Sequence, residues 1–249
     1  MSIIDYLHFL HRVYHYRFRT EKQQLKFVLS QDLLGSTVLD IGANRGIYTY
    51  LLSRKVGEKG KVHAFEPQPE LVTELHRMKK WFGLSNVVIH PMALSSCTGL
   101  AQLNRICPGD GGASLEPDQP GSDLLTVNRA PLDEILLREG AVNIDFIKCD
   151  VEGHELRVFE GAVRMIERCK PLIQVEVRIE TQEAMTLFHL LESFGYVGVM
   201  VLDGEFPDYR DCRSIPSKKF GLKGHRDFIF THNEKPVNLG NGKILGMEQ

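Results

Sequence analysis

Short apolar runs recur along the 249-residue chain, separated by segments whose apolar positions repeat every three or four residues. Residues 1–34 carry the helical repeat twice. Ile3, Leu7, Leu10 and Tyr14 fall on roughly one face, and Leu25, Val28 and Leu29 mark a second segment that Gly35 is expected to close as a C-cap. From Thr37 the patterns alternate. Strands are predicted at Val38–Ile41, Lys61–Phe65, Asn86–His90, Ile144–Cys149, Pro171–Val177 and Tyr196–Val201, and a last one at Asp227–Thr231. Helices are predicted from Ile47, over Pro69–Phe82 with Gly83 as the stop, at Pro131–Glu139, over Gly153–Cys169 and at Thr181–Phe194. Two pieces break the alternation. Leu100–Ile106 and Leu124–Asn128 read as paired strands around a glycine-, proline- and aspartate-rich loop, Pro108–Gly121, and residues 203–224 read as loop.

Repeated β-α-β units imply an α/β fold: a doubly wound, mostly parallel, seven-stranded sheet with an N-terminal helical extension and an inserted hairpin or lid loop. The expected organisation is a helical extension at 1–34, one α/β domain at 35–232 and a tail at 233–249.

Composition narrows the functional classes. With 43% hydrophobic and 25% charged residues the chain can build an ordinary core, and a net charge of −2 argues against a surface for bulk binding of DNA or RNA. No apolar run approaches the roughly 20 residues of a membrane span. The first residues lack the ordered charge, apolar centre and cleavage site of a signal peptide. The five cysteines are scattered, without a C-x-x-C pair, as expected of free thiols in a reducing compartment. A cytoplasmic protein is the expectation. His8, His11, Arg12, His15, Arg17 and Arg19 on the first helix read as a solvated face in preference to a phosphate-binding one.

The candidate chemistry begins at Thr37–Gly46, T-V-L-D-I-G-A-N-R-G. Strand, glycine turn and helix bring backbone N–H groups close to a ligand at the carboxyl end of a strand. A dinucleotide turn needs glycines at offsets 0, 2 and 5, but those offsets hold Gly42, Asn44 and Ile47. No Gly-Lys-Ser/Thr follows, so a P-loop is excluded as well. What remains is D-x-G-x-N-x-G followed, roughly 20 residues on, by Glu66, a carboxylate placed to accept ribose hydroxyls. Asp40 can hold the turn or meet an ammonium group. A ribose acceptor without a pyrophosphate cradle suits S-adenosylmethionine.

A second constellation, D-F-I-K-C-D-V-E-G-H-E at Asp145–Glu155, ends an apolar strand in carboxylates, a glycine and a histidine. Strand ends line the crevice of an open sheet, so Asp150, Glu152 and His154 are expected near Gly42 and Glu66. Here the chain resembles the FkbM-type methyltransferases, a family of the class I, Rossmann-like methyltransferase fold. The matching pieces are V-L-D-I-G-A-N-x-G-x-Y-T, A-F-E-P-x-P-E, A-L-S at Ala93–Ser95, P-L-D-E at Pro131–Glu134 and I-K-x-D-x-E-G-x-E. They span roughly Gln24 to Thr231. Nothing in the pattern matches the first helix or the basic stretch 210–226.

The resemblance implies an S-adenosylmethionine-dependent O-methyltransferase that leaves S-adenosylhomocysteine and acts on a hydroxyl of a sugar, glycan or small metabolite. It implies cofactor contacts from Asp40, Gly42, Asn44, Gly46 and Glu66, with Met92 and Ala93 near the adenine and Asp150 beside the transferred methyl. A hydroxyl nucleophile gains from a base, which His154, Asp150 or Glu152 can supply. His154 reads equally well as a bystander facing solvent. Glu155 reads as complementing the helix dipole. A divalent cation on Asp150, Glu152 and Glu176 is the less favoured reading, and no metal ligand is assigned. Loop 108–121 reads as a lid or as a disordered insertion. Two other classes stay open: an RNA methyltransferase using His8–Arg19 and Lys218–Arg226, and a cofactor-binding module without turnover. A homodimer is compatible with the sequence.

Overall fold

The computed structural model describes residues 3–116, 123–138, 143–202, 204–214, 225–240 and 243–246. The chain opens with helices α1 (Ile3–His15) and α2 (Lys22–Ser30), joined by a π-helical turn at Tyr16–Thr20. Strand β1 (Thr37–Ile41), helix α3 (Ile47–Val56), strand β2 (Lys61–Phe65), helix α4 (Pro69–Phe82) and strand β3 (Val87–His90) follow in strict alternation. A short strand β4 (Ala93–Leu94) and a hairpin, β5 (Gly99–Arg105) with β6 (Asp123–Ala130), then form a small separate sheet. The second half runs through α5 (Leu132–Arg138), β7 (Phe146–Cys149), α6 (Glu155–Glu160), α7 (Val163–Cys169), β8 (Leu172–Arg178), α8 (Gln182–Ser193) and β9 (Tyr196–Met200). It ends with a 3-10 turn at Tyr209–Ser214, β10 (His225–His232), and a hairpin of β11 (Val237–Gly240) with β12 (Lys243–Leu245).

Seven strands make the main sheet in the order β3-β2-β1-β7-β8-β10-β9. All pairs are parallel except those of β10, which runs antiparallel to both β8 and β9. The doubly wound, mostly parallel seven-stranded sheet expected from the pattern is the fold. Parallel pairing requires crossovers that cover both faces, so the central strands are apolar throughout. Val38, Leu39, Ile41, Phe146, Ile147 and Cys149 are at most 1% exposed. Alternate side chains feed two cores: Leu39 and Ile41 join Phe159, Leu187 and Phe188 on one face, and Val38 and Val62 join Leu52, Leu75, Phe9 and Val28 on the other. Strand order reverses between β1 and β7, which opens a crevice at their carboxyl ends.

Four local expectations are corrected. Helix α2 stops at Ser30, with Gln31 as its C-cap, and Gly35 instead donates its N–H to the Val56 carbonyl in the turn before β1. The helix expected over Gly153–Cys169 starts at Glu155, because Glu152 and Gly153 have positive φ. It then breaks at Gly161–Ala162, where a Cβ on Gly161 would lie 2.1 Å from the Ser95 carbonyl oxygen, and α7 starts afresh with Asp133 accepting from the backbone N–H groups of Arg164 and Met165. Within 203–224, read as loop, residues 209–214 form the 3-10 turn. The strand expected to be last is longer than Asp227–Thr231 and is followed by the β11–β12 hairpin, whose Leu239 is buried.

Among the described residues no helix is long and apolar enough to cross a membrane. Among the described residues no disulfide joins the cysteines, and Cys97 and Cys107 are exposed.

Phe188 anchors one core, packing its ring against Tyr209, Phe228 and Phe230 while fully buried. Phe188→Ala is expected to lower unfolding stability by about 3–5 kcal/mol in urea denaturation, the usual cost of a buried aromatic truncation. A loss under about 1 kcal/mol would mean this aromatic cluster does not hold α8 to the sheet.

Candidate active site

The turn after β1 is built from left-handed backbone. Gly42, Asn44 and Gly46 have φ of 78°, 49° and 80°. Gly42 has a second reason to lack a side chain, since a Cβ there would sit 1.9 Å from the carbonyl oxygen of Asp150. The ends of β1 and β7 are thus in backbone contact, and the Asp150 N–H donates to the Ile41 carbonyl at 3.0 Å. The Gly42 and Ala43 N–H groups donate to the Phe65 carbonyl, which ties the turn to β2 as well.

Glu66 follows β2 directly. Its Oε2 accepts the Asn44 N–H at 2.9 Å and its Oε1 the Gln68 N–H at 2.9 Å. Burial pushes the carboxyl up to about 7, against the pull of those two donors. Each oxygen keeps a second lone pair for a further donor.

A cleft with about 610 Å³ of empty space, counted to its open mouth, lies over these turns. The structure brings Gly42, Asn44, Glu66, Met92, Ala93, Asp150, Glu152 and His154 together in its wall, beside apolar Phe65, Leu103 and Leu115. Asp40 and Gly46 are not in that wall. Gly46 precedes α3, where a Cβ would collide with Leu75 and Met78. Asp40 is wholly buried on the Thr49 hydroxyl, with Oδ2 at 2.5 Å and Oδ1 unpartnered. It faces an adjoining polar chamber lined also by Arg12, Tyr16, Glu21, Tyr48, Lys148 and Asp150.

His154 does not face solvent, which corrects one of its two readings. It is 5% exposed, with Nδ1 2.6 Å from Glu116 Oε1 and Nε2 3.0 Å from the Ser95 hydroxyl. Burial lowers its pKa despite Glu116. Both ring nitrogens are engaged, so in this arrangement neither is open to an acceptor. Glu155 accepts from the Gly153 and Val151 N–H groups at the start of α6. Glu152 and Glu176 each place a carboxylate oxygen 3.6 Å from His225 Nδ1. Among the described residues no group of three His, Cys, Asp or Glu side chains is placed to hold a metal ion.

The described part of the lid loop closes over the cleft. Asp110, Gly111, Ala113 and Leu115 line it, Gln68 bridges to the Gly109 N–H and the Asp110 carbonyl, and the Ser114 hydroxyl donates to the Glu152 carbonyl. Residues 117–121 of that loop, and Lys218, Lys219 and Lys223 of the basic stretch, lie outside the described residues.

A glycine turn, an acidic residue ending the second strand and a carboxylate-rich fourth-strand end thus meet at one switch point. The sequence itself matches the methyltransferase FkbM domain over residues 40–197, more than half of the chain. The chain belongs to the FkbM methyltransferase family. In structure it is similar to an FkbM methyltransferase from Methylobacillus flagellatus KT, with 17% identity and a TM-score of 0.53, over 81% of this chain and 45% of that one. The chain therefore spans less than half the length of that relative. It is also similar to a putative rRNA-methylase from Clostridium thermocellum (10% identity, TM-score 0.51, 84% and 93% of the two chains). A putative O-methyltransferase from Klebsiella pneumoniae gives 12% identity and a TM-score of 0.50, over 90% and 89%. At these identities the likeness concerns the fold. No curated protein matches the sequence.

One feature of this FkbM chain was not singled out in the sequence, although it was visible there: a lysine inside an apolar strand, F-I-K-C. Sheet register places Asp40 of β1, Lys148 of β7 and Gln174 of β8 side by side in one row. Lys148 donates to Asp150 Oδ2 at 3.0 Å and stands 5.1 Å from the centre of the Tyr48 ring. Burial works against its charge, but Asp150, Asp40 and Glu21 outweigh burial and raise its pKa. Around it, burial pushes Glu21 up to about 7, while burial together with the charges of Asp150 and Asp227 pushes Glu176 up to about 9.

Lys148→Met leaves these carboxylates without their cation and is expected to cost about 3–5 kcal/mol of stability at pH 8. Burial raises the Asp40 carboxyl and pushes Glu21 up to about 7, so Glu21 takes up a proton as pH falls through about 7 and the loss is expected to shrink toward pH 5. Urea denaturation at both pH values checks this. A loss equal at the two would show that Lys148 acts by packing and not by charge.

Proposed function

We propose that the chain is an S-adenosylmethionine-dependent O-methyltransferase acting on a hydroxyl of a sugar, glycan or small metabolite. The observation that carries this reading is Glu66, a buried carboxylate fixed by two backbone donors in the wall of the cleft that the glycine turn also lines. The residues present fit the cofactor: Glu66 for the ribose hydroxyls, Phe65, Met92, Ala93 and Leu103 as walls for the adenine, and Gly42 and Asn44 as close backbone. Bound S-adenosylmethionine supplies an electrophilic methyl on a sulfonium and is left as S-adenosylhomocysteine.

Asp150 lines both the cleft and the polar chamber, so it borders cofactor and acceptor spaces together. We assign it the proton of the acceptor hydroxyl as the new C–O bond forms. Lys148 holds one of its carboxylate oxygens by a 3.0 Å hydrogen bond, which fixes where the carboxylate stands in the site. The lid residues Asp110 to Leu115 exclude water, and the chamber aligns the hydroxyl, which is where an in-line displacement gains most. His154, with both nitrogens engaged, pins Glu116 and Ser95 around the site.

Glu66→Ala is expected to weaken S-adenosylhomocysteine binding by about 1.5–3 kcal/mol in isothermal titration. Ribose hydroxyls bond best to the ionised carboxylate, so wild-type affinity is expected to fall as pH drops through about 7, with proton release on binding. The same pH dependence surviving in Glu66→Ala would place the ribose elsewhere. Asp150→Asn is expected to cut turnover by about 100-fold or more while leaving cofactor affinity within a few-fold. The assay is mass spectrometry of metabolite and glycan extracts incubated with protein and deuterated-methyl cofactor. Label transferred to nitrogen or carbon, or undiminished transfer by Asp150→Asn, would overturn the assignment.

A further inference from the structure

Beyond the polar chamber lies a groove between α1 and α4 with about 920 Å³ of empty space, counted to its open mouth. Helical spacing loads it with basic side chains. His8, His11 and Arg12 are at i, i+3 and i+4 on α1, and Arg77 and Trp81 are at i and i+4 on α4. The carboxylate in its wall, Glu74, is already committed to Arg45 by two bonds of 2.7 and 2.9 Å. Among the described residues neither Arg12 nor Arg77 forms an ion pair, and the Arg12 Nε is buried without a hydrogen-bond partner. Arg12 and Arg45 also line the polar chamber, which in turn shares Asp150, Asn44 and Gly42 with the cofactor cleft. Three hollows therefore adjoin in sequence.

We propose that this groove is a phosphate subsite, and that the methyl acceptor is a small phosphorylated hydroxyl compound with its hydroxyl beside Asp150. The proposal rests on the methyltransferase reading for the hydroxyl, though not for the phosphate. A carboxylate is satisfied by one guanidinium fork, whereas a phosphate offers three oxygens and a double charge to two arginines and two imidazoles together. A buried Arg12 Nε gains the acceptor it lacks. The neighbouring chamber sets Glu21, Asp40 and Asp150 against Arg12, Arg45 and Lys148, so the excess of basic side chains is confined to the groove, which suits one phosphorylated small molecule better than the extended backbone of RNA. Trp81 supplies an apolar surface for the body of the ligand.

Trp81 is the only tryptophan of the chain, so its fluorescence reports on this groove alone. Titration with inorganic pyrophosphate at constant ionic strength is expected to give a saturable change. Arg77→Gln and Arg12→Gln are each expected to raise the midpoint about tenfold or more, as loss of a charge-assisted bond implies. S-adenosylhomocysteine heat retained by Arg77→Gln shows that the variant is folded. The proposal is overturned by a wild-type response that does not saturate, or by a midpoint that neither substitution moves. Tighter saturation by glucuronate than by pyrophosphate overturns it in favour of a carboxylate, and tighter binding of an RNA oligonucleotide in favour of RNA. Absence of S-adenosylhomocysteine heat from a wild-type protein that still answers pyrophosphate counts against the cofactor reading alone.

Discussion

A lysine ammonium buried in the middle of a parallel sheet sets the terms for the rest of this structure. Burial works against the charge of Lys148, and Asp150, Asp40 and Glu21 around it outweigh burial, while Lys148 in turn opposes the burial that raises the Asp40 and Glu21 carboxyls. The row Asp40, Lys148, Gln174 crosses three adjacent strands, and Gln174 extends it to Tyr48 and Asp227. A polar band through an apolar sheet is costly unless its members are hydrogen-bonded or paired, and such bands concentrate at functional sites. Helix α2 and the turn before it help to cover the band, since Gln24 donates to Asp227 and Glu21 lines the same chamber. The N-terminal helices are therefore part of the polar chamber's wall as well as a cover for the hydrophobic core.

The second constraint is backbone proximity. Gly42 can touch the Asp150 carbonyl because it has no Cβ, and that contact fixes the separation between the first and fourth strand ends. Glu66 then bonds the Asn44 N–H, so turn, acidic residue and fourth strand form one rigid rim. Loop 108–121 is latched to that rim by Gln68 and Ser114, which couples the cleft wall and the loop through hydrogen bonds to backbone atoms.

Much of this was legible from residue order. Apolar runs of four to seven residues separated by helical repeats specify β-α-β units, and β-α-β units leave few topologies open. Gly42, Asn44 and Glu66 were legible because each answers a local requirement, two for left-handed backbone and one for a carboxylate at a strand end. The break in the α6–α7 segment was not, because it depends on the Ser95 carbonyl approaching Gly161 from a distant strand. His154 was left open for the same reason: its partners Glu116 and Ser95 are 38 and 59 residues away in sequence.

The sequence alone determined the fold class, the family and which strand ends carry the candidate residues, because periodicity and turn geometry are local properties. Only the tertiary structure decided what each polar group faces. It put Asp40 under the turn with Thr49, paired Lys148 with Asp150, and set Arg12 and Arg77 across one groove. Those outcomes follow from register between strands and from how α1 lies against α4. Neither is written in any single segment, because both are fixed by which surfaces bury together.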